Sequence, residues 1–192
     1  MSLTTAKRFT IDEYHRLAAL GFFAENDRVE LIQGEIVQMV AKGTPHSVCN
    51  TRLYRELFKL VAEMATLRGQ EPIIISDDSE PEPDLVIVQN RPDDYLENHP
   101  QPSDILLVIE ISDSSLKYDQ DIKLPLYAKA GINNYWIFNL IDNYLECYSE
   151  PYQDLKDKFG YRHKLIFLPN ETVNLPVFSN LVLDLSQVFP KG

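Results

Sequence analysis

Two cysteines in 192 residues are too few to staple a fold with disulfides. Cys49 and Cys147 show neither metal-ligand nor thioredoxin-like spacing, so each is expected to be a buried free thiol, which suits a reducing cytoplasm. Apolar runs are equally scarce. None approaches the roughly 20 residues needed to span a bilayer, and the start, Met1 to Arg8, has no apolar stretch long enough for a signal peptide. The expectation is a cytoplasmic protein with no membrane partner. Glycine is sparse, at 7 residues, and no Gly- or Ser-rich segment reads as a linker. A single domain over 1–192 is expected, since this length can bury one core.

Basic residues are also in short supply, with 18 Lys and Arg against 29 Asp and Glu and a net charge of -11. That balance works against broad, non-specific attraction to nucleic acid, which depends on neutralising phosphates. It leaves room for a nuclease whose charge is segregated by face, because a bound divalent ion reverses the local sign at a carboxylate site. Arg52, Arg55 and Lys59 share one helical pattern, whereas acid is dense between Glu71 and Asp84.

What is present is an alternation of helical and strand patterns, hence an α/β fold. Thr10 with Glu13 three residues on predicts a capped helix over Thr10 to Leu20, ended by Gly21. Two strand-like segments, 28–32 and 35–39, flank Gln33-Gly34 and predict a hairpin. Cys49, Leu53, Leu57, Leu60, Val61 and Met64 recur at helical spacing, so a helix is expected from about Pro45 to Leu67, with a strand following at Glu71 to Ile75. Ser76 to Pro83 reads as a solvated acidic turn containing Asp77, Asp78, Glu80 and Glu82. Leu85 to Val88 and Ile105 to Ile111 read as strands, the second apolar enough to be covered on both sides. Pro125 interrupts the next helical pattern, so that helix is expected to start near Lys123 and end at Gly131. An aromatic strand at Asn134 to Phe138, its hairpin partner at Tyr144 to Ser149, and strands near Leu165 and Leu181 complete the chain.

Two carboxylates stand out. Glu110 interrupts the most apolar strand, where a lone charge is costly unless it is paired, bound to metal or at a solvent edge. Asp84 opens the preceding strand, and antiparallel pairing would set it level with Glu110; as an alternative it caps a turn after Pro83. Paired carboxylates at one sheet edge are what Mg²⁺ or Mn²⁺ needs to activate water beside a phosphodiester. Tyr127, Tyr135 and Trp136 have core spacing rather than that of a base-stacking platform. Ser112, Ser114 and Ser115 have no histidine or acid at a motif-defined spacing, so a serine hydrolase is only weakly supported.

Pro83-Asp84, Glu110-Ile111-Ser112 and the run Asp119, Lys123, Tyr127, Gly131, Tyr135-Trp136, together with Arg28 to Ile32, Gly34-Glu35 and His46, resemble restriction endonucleases of the Uma type. That family is abundant in cyanobacteria and belongs to the PD-(D/E)xK superfamily, and the resemblance covers nearly the whole chain. It implies a restriction-endonuclease-like core, a central mixed β-sheet flanked by helices, with an N-terminal helix and hairpin. It also implies hydrolysis of DNA with Mg²⁺ or Mn²⁺ held by Asp84 and Glu110, Glu30 completing the shell directly or through water, and Lys123 as the third catalytic residue. The superfamily's usual lysine position, two residues after the glutamate, holds Ser112 here, so the lysine is expected from the following helix. His46, at a helix start, is expected either to hydrogen-bond a ligating carboxylate from behind or to be a structural histidine. The alternative is an inactive nuclease fold acting as a nucleic-acid-binding or protein-interaction module. A homo-oligomer, in the form of a dimer, would suit cleavage of two strands.

Overall fold

The computed structural model describes residues 6–190. Helix α1, Ile11–Ala19, begins at a capping box in which the Glu13 N–H donates to Thr10 Oγ1 at 3.3 Å and the Thr10 N–H donates to Glu13 Oε2 at 3.0 Å. Strands β1, Val29–Ile32, and β2, Glu35–Gln38, form the expected hairpin, with Val29 opposite Gln38 and Ile32 opposite Glu35. Its two-residue turn puts both Gln33 and Gly34 at positive φ, the arrangement that matches strand twist. Gly34 is required twice over, because a Cβ there would stand 2.7 Å from Arg8 Cβ.

Helix α2, Thr44–Val61, ends six residues before the expected Leu67. The residues beyond it pair instead as β3, Thr66–Gly69, antiparallel to β4, Leu85–Val88. Ladder hydrogen bonds to β4 satisfy the backbone there in place of helical ones. No strand forms at 71–75. Pro72 and Pro81 cannot donate to a ladder, and the segment folds back on itself through Ile73 N–H to Pro81 O and Ile75 N–H to Ser79 O, burying Ile73 and Ile75. The acidic turn is correspondingly less solvated than its composition suggests: Glu80 is buried and meets His15 Nε2 at 2.9 Å, and Glu82 pairs with Arg28.

The central sheet adds β5, Ile105–Ser112, β6, Asn134–Asn139, β7, Tyr144–Gln153, and β8, Phe159–Phe167, in the order β3-β4-β5-β6-β7-β8. Only β5 and β6 are parallel, so the sheet is mixed. A further hairpin of β9, Thr172–Leu175, and β10, Phe178–Asp184, covers part of one face; β9 carries only a short alternating pattern, which the sequence reading did not register. Alternate residues of β4 feed two cores. Leu85 and Ile87 pack with Leu53, Leu57 and Ile109 under α2, while Val86 and Val88 pack with Val108, Tyr127 and Tyr135 on the other side. Tyr127, Tyr135 and Trp136 are all buried, so none offers a stacking platform.

The second face is covered by one helical run: α3, Leu116–Tyr118, a π-helical turn at Asp119–Lys123, and α4, Leu124–Lys129. The helix therefore begins well before Lys123 rather than at it. Pro125 lacks an N–H and its ring would clash in a regular α-turn; the wider turn, closed by Leu124 N–H to Asp119 O, carries the helix past it. Among the described residues, no helix is long and apolar enough to cross a membrane.

Candidate active site

Antiparallel pairing sets Leu85 opposite Ile109, which leaves Asp84, just before β4, level with Glu110. The main chain ties them together. The Asp84 N–H donates to Glu110 Oε2 at 3.3 Å, and the Ile111 N–H donates to Asp84 Oδ2 at 2.9 Å. Strand alternation places Ile109 and Ile111 in the core under α2 and turns Glu110 toward the π-turn.

His46 lies in the first turn of α2, with Nε2 3.0 Å from Asp84 Oδ2. A carboxylate only accepts, so Nε2 carries the hydrogen. The Lys42 ammonium stands 2.9 Å from the other oxygen, Oδ1. Burial alone would raise the Asp84 pKa, but His46, Lys42 and the Ile111 N–H outweigh it and hold the carboxyl at about 2.

Glu110 is buried among a different set. Lys123 Nζ and the Tyr127 hydroxyl each donate to Glu110 Oε1 at 2.9 Å. Burial pushes its pKa up to about 8 against the pull of Lys123, with the Asp119 and Asp84 charges adding to the rise. Burial opposes the charge of Lys123 too, but Glu110, Glu30 and Asp119 win and raise its pKa well above the ordinary lysine range. Lys123 is thus a fixed cation.

Glu30 is buried on β1. Its Oε2 accepts the Glu82 N–H at 3.1 Å and lies 3.4 Å from Lys123 Nζ, and its Oε1 accepts the Tyr118 hydroxyl at 3.3 Å. Arg28, two residues before it in the chain, pairs with Glu82. Asp119 is not the partner of Lys123 that an i,i+4 spacing suggests. Its Oδ2 accepts hydrogen bonds from Ser112 Oγ at 2.7 Å and Ser115 Oγ at 2.6 Å. Ser112, at the place of the superfamily's lysine, therefore anchors the turn from which Lys123 projects.

Glu30, Lys42, His46, Asp84, Glu110 and Lys123 all line one cavity of about 240 Å³, between β2, the start of α2 and the segment after β5. The exposed Gln38 lines it as well. Sequence reasoning passed over Lys42, Tyr118 and Asp119 as members of this cluster. Asp119, Lys123 and Tyr127 share a four-residue spacing that was a usable signal, whereas Lys42 lies in a loop with no pattern to mark it.

Among the described residues, no three His, Cys, Asp or Glu side chains converge as a ready-made metal cage. Asp84 and Glu110 are neighbours, while Glu30 joins them through the Lys123 ammonium. The donor chemistry nonetheless fits a hard divalent cation. Carboxylate oxygens suit Mg²⁺ or Mn²⁺, and Mg²⁺ keeps several waters and needs only one or two protein carboxylates. Four buried carboxylates, Glu30, Asp84, Glu110 and Asp119, face two lysines; burial is the main reason the pKa of Glu110 is raised, and the Asp119 and Asp84 charges add to it.

The crystal structure of "a putative nuclease belonging to DUF820" from Anabaena variabilis ATCC 29413 has a similar fold, with a TM-score of 0.71 over 94% of this chain and 97% of that one. At 19% identity the likeness speaks for the fold alone. No curated protein matches the chain. Residues 11–186 match the Uma2 family, described as "Putative restriction endonuclease". With residues 11–186 matched, well over half of its length, the chain belongs to the Uma2 family.

Proposed function

We propose that the protein is an endonuclease that hydrolyses DNA phosphodiester bonds with Mg²⁺ or Mn²⁺. The observation that carries this reading is the meeting of Asp84, Glu110 and Lys123 in one cavity, from three separate elements. Asp84 and Glu110 would hold the cation, with Glu30 within reach directly or through water. When bound, the cation supplies a lowered pKa for the attacking water and offsets charge on the phosphate.

The chain's own residues do the rest. His46 orients Asp84 through Oδ2 and leaves Oδ1 to Lys42. Lys123, fixed against Glu110 and Glu30, would set its positive charge beside the phosphate. Tyr127 and Tyr118 fix the orientations of Glu110 and Glu30.

The test is cleavage of supercoiled, linear and single-stranded DNA, and of RNA, with Mg²⁺ or Mn²⁺. Wild type should cut, chelator should abolish cutting, and Asp84→Ala and Lys123→Ala should each lose at least about a hundredfold, as expected for groups acting on the transition state. Cleavage equal in all three proteins would remove the assignment.

A second reading, an inactive nuclease fold that binds nucleic acid or protein, draws on the absence of a ready-made cage among the described residues. Calorimetry with Mn²⁺ separates the two. An active site of this kind binds the ion and loses it on Glu110→Ala, whereas the inactive fold binds none.

A further inference from the structure

Two lysines reach the cavity, and they are held very differently. Lys123 projects from a helical run, donates to Glu110 at 2.9 Å, sits 3.4 Å from Glu30 and lies 5.9 Å from the centre of the Tyr118 ring. Lys42 comes from the short connection between β2 and α2. Its ammonium is buried 2.9 Å from Asp84 Oδ1, yet it makes no aligned hydrogen bond with any described residue. What holds the ammonium itself is charge attraction rather than an aligned hydrogen bond.

The two oxygens of Asp84 are just as unequal. Oδ2 is taken twice, by the Ile111 N–H at 2.9 Å and by His46 at 3.0 Å. Oδ1 meets Lys42 and no other donor among the described residues. It is therefore the oxygen that a cation shared with Glu110 must use, and Lys42 stands on it. An ammonium and a divalent cation cannot both sit within contact of one oxygen without strong repulsion.

We propose that Lys42 is a displaceable counter-ion of Asp84. It occupies Oδ1 until a divalent cation arrives, then yields that oxygen and swings on its four-carbon stem to meet a substrate phosphate in the same cavity. This rests on Asp84 being a metal ligand. The stem is flexible and the charge is compact, which suits a group that exchanges one anionic partner for another. Lys123 cannot make the same exchange, because two carboxylates and a ring fix it. Linkage then works in both directions: a phosphodiester that draws Lys42 off Asp84 strengthens cation binding, and the cation that expels Lys42 strengthens phosphodiester binding. Lys42 thereby couples the filling of the metal site to the presence of nucleic acid.

The test is calorimetric titration with Mn²⁺ of the full chain, as wild type, Lys42→Met, Lys42→Gln and Asp84→Asn, each checked by thermal melting. Titrations are made with and without a phosphorothioate duplex that resists cleavage. Without duplex, removing the competing ammonium should tighten Mn²⁺ binding by about tenfold, within the usual range of coupling between sites. The duplex should tighten binding to wild type several-fold and to the Lys42 variants much less. Mn²⁺ binding by a Lys42 variant where wild type shows none supports the proposal equally. If Asp84→Asn weakens Mn²⁺ binding but the folded Lys42 variants bind it no better than wild type, Lys42 is not a displaceable counter-ion, while Asp84 stays a ligand. If Asp84→Asn binds as wild type does, or no variant binds at all, both the ligand reading and the inference fall together.

Discussion

Lys123 donates to Glu110 at 2.9 Å, a contact that becomes a full ion pair once Glu110 ionises and in which both side chains are almost wholly removed from water. Such a pair adds little net stability over an apolar pair of the same size, because both charges lost their hydration to form it. Breaking it is another matter. Lys123→Met would leave Glu110 and Glu30 without the cation between them, and we expect a loss of about 3 kcal/mol. Adding Glu110→Gln to that variant should recover part of the loss, a coupling that chemical denaturation of the four proteins in a double-mutant cycle would measure. Simple additivity would mean that the pair is not what holds the π-turn to β5.

Stability should also respond to pH through Glu110. Its folded-state pKa of about 8 lies above the ordinary 4.5, so between those values the folded chain keeps a proton that the unfolded chain releases. Stability contributed by that proton is complete below about pH 4.5 and is lost as pH rises through about 8. Glu110→Gln, which cannot release a proton, should show a flatter profile across that window in urea unfolding. Equal slopes for the two proteins would show that Glu110 is ionised throughout.

Asp84 acts at the other end of the scale with the opposite sign. Its pKa is held at about 2, below the ordinary 3.8, so its contribution is present above about pH 4 and disappears as pH falls through about 2. The shift corresponds to roughly 2 kcal/mol. His46→Ala should remove part of it and move acid unfolding to higher pH, which far-ultraviolet circular dichroism during an acid titration would detect.

Helix α1 offers a local test. It buries none of its residues, so loss of the Thr10 cap in Thr10→Ala, worth about 1 kcal/mol, should stay local. Amide hydrogen exchange should speed up over residues 11–19 while the midpoint of global unfolding barely moves. A clear fall in that midpoint would mean that α1 unfolds together with the sheet.

The thiols should be inert in the folded protein. Burial pushes Cys49 up to about 12 and raises Cys147 as well, and the thiolate is the reactive form. Alkylation at about pH 8 should be slow for both until denaturant is added. Rapid labelling of Cys49 in the native state would show that α2 opens away from the sheet.

Elements that rest on local patterning were legible in the chain. The Thr10 and Glu13 capping box, the Gln33-Gly34 turn, the apolar stripe of α2 and the unbroken apolar run of β5 each carry their instructions within a few residues. The segments that sequence reading placed wrongly are those where a distant partner decided the outcome. Residues 66–69 left the helical pattern because β4 was there to pair with them, and 71–75 failed to form a strand because prolines on both arms of the loop denied it a ladder. The helix around Pro125 survived because Asp119 and Lys123 had buried partners on β5 and the segment after it, which hold a wider turn open.

For the site, the sequence by itself determined which residue types were available and which of them were anomalous: an acid in an apolar strand, an acid opening its neighbour, and a lysine on the helix that follows. The tertiary structure alone decided what each touches. A hydrogen bond or ion pair acts over a few ångströms of space, whatever the distance along the chain, so the sequence carries no mark that Lys42 would rest on Asp84 or that Ser112 would hold Asp119. The energy of a buried charge depends on every group packed around it. The low pKa of Asp84 and the high pKa of Glu110, two carboxylates at one level of the sheet, are therefore properties of the folded cluster and of neither residue alone.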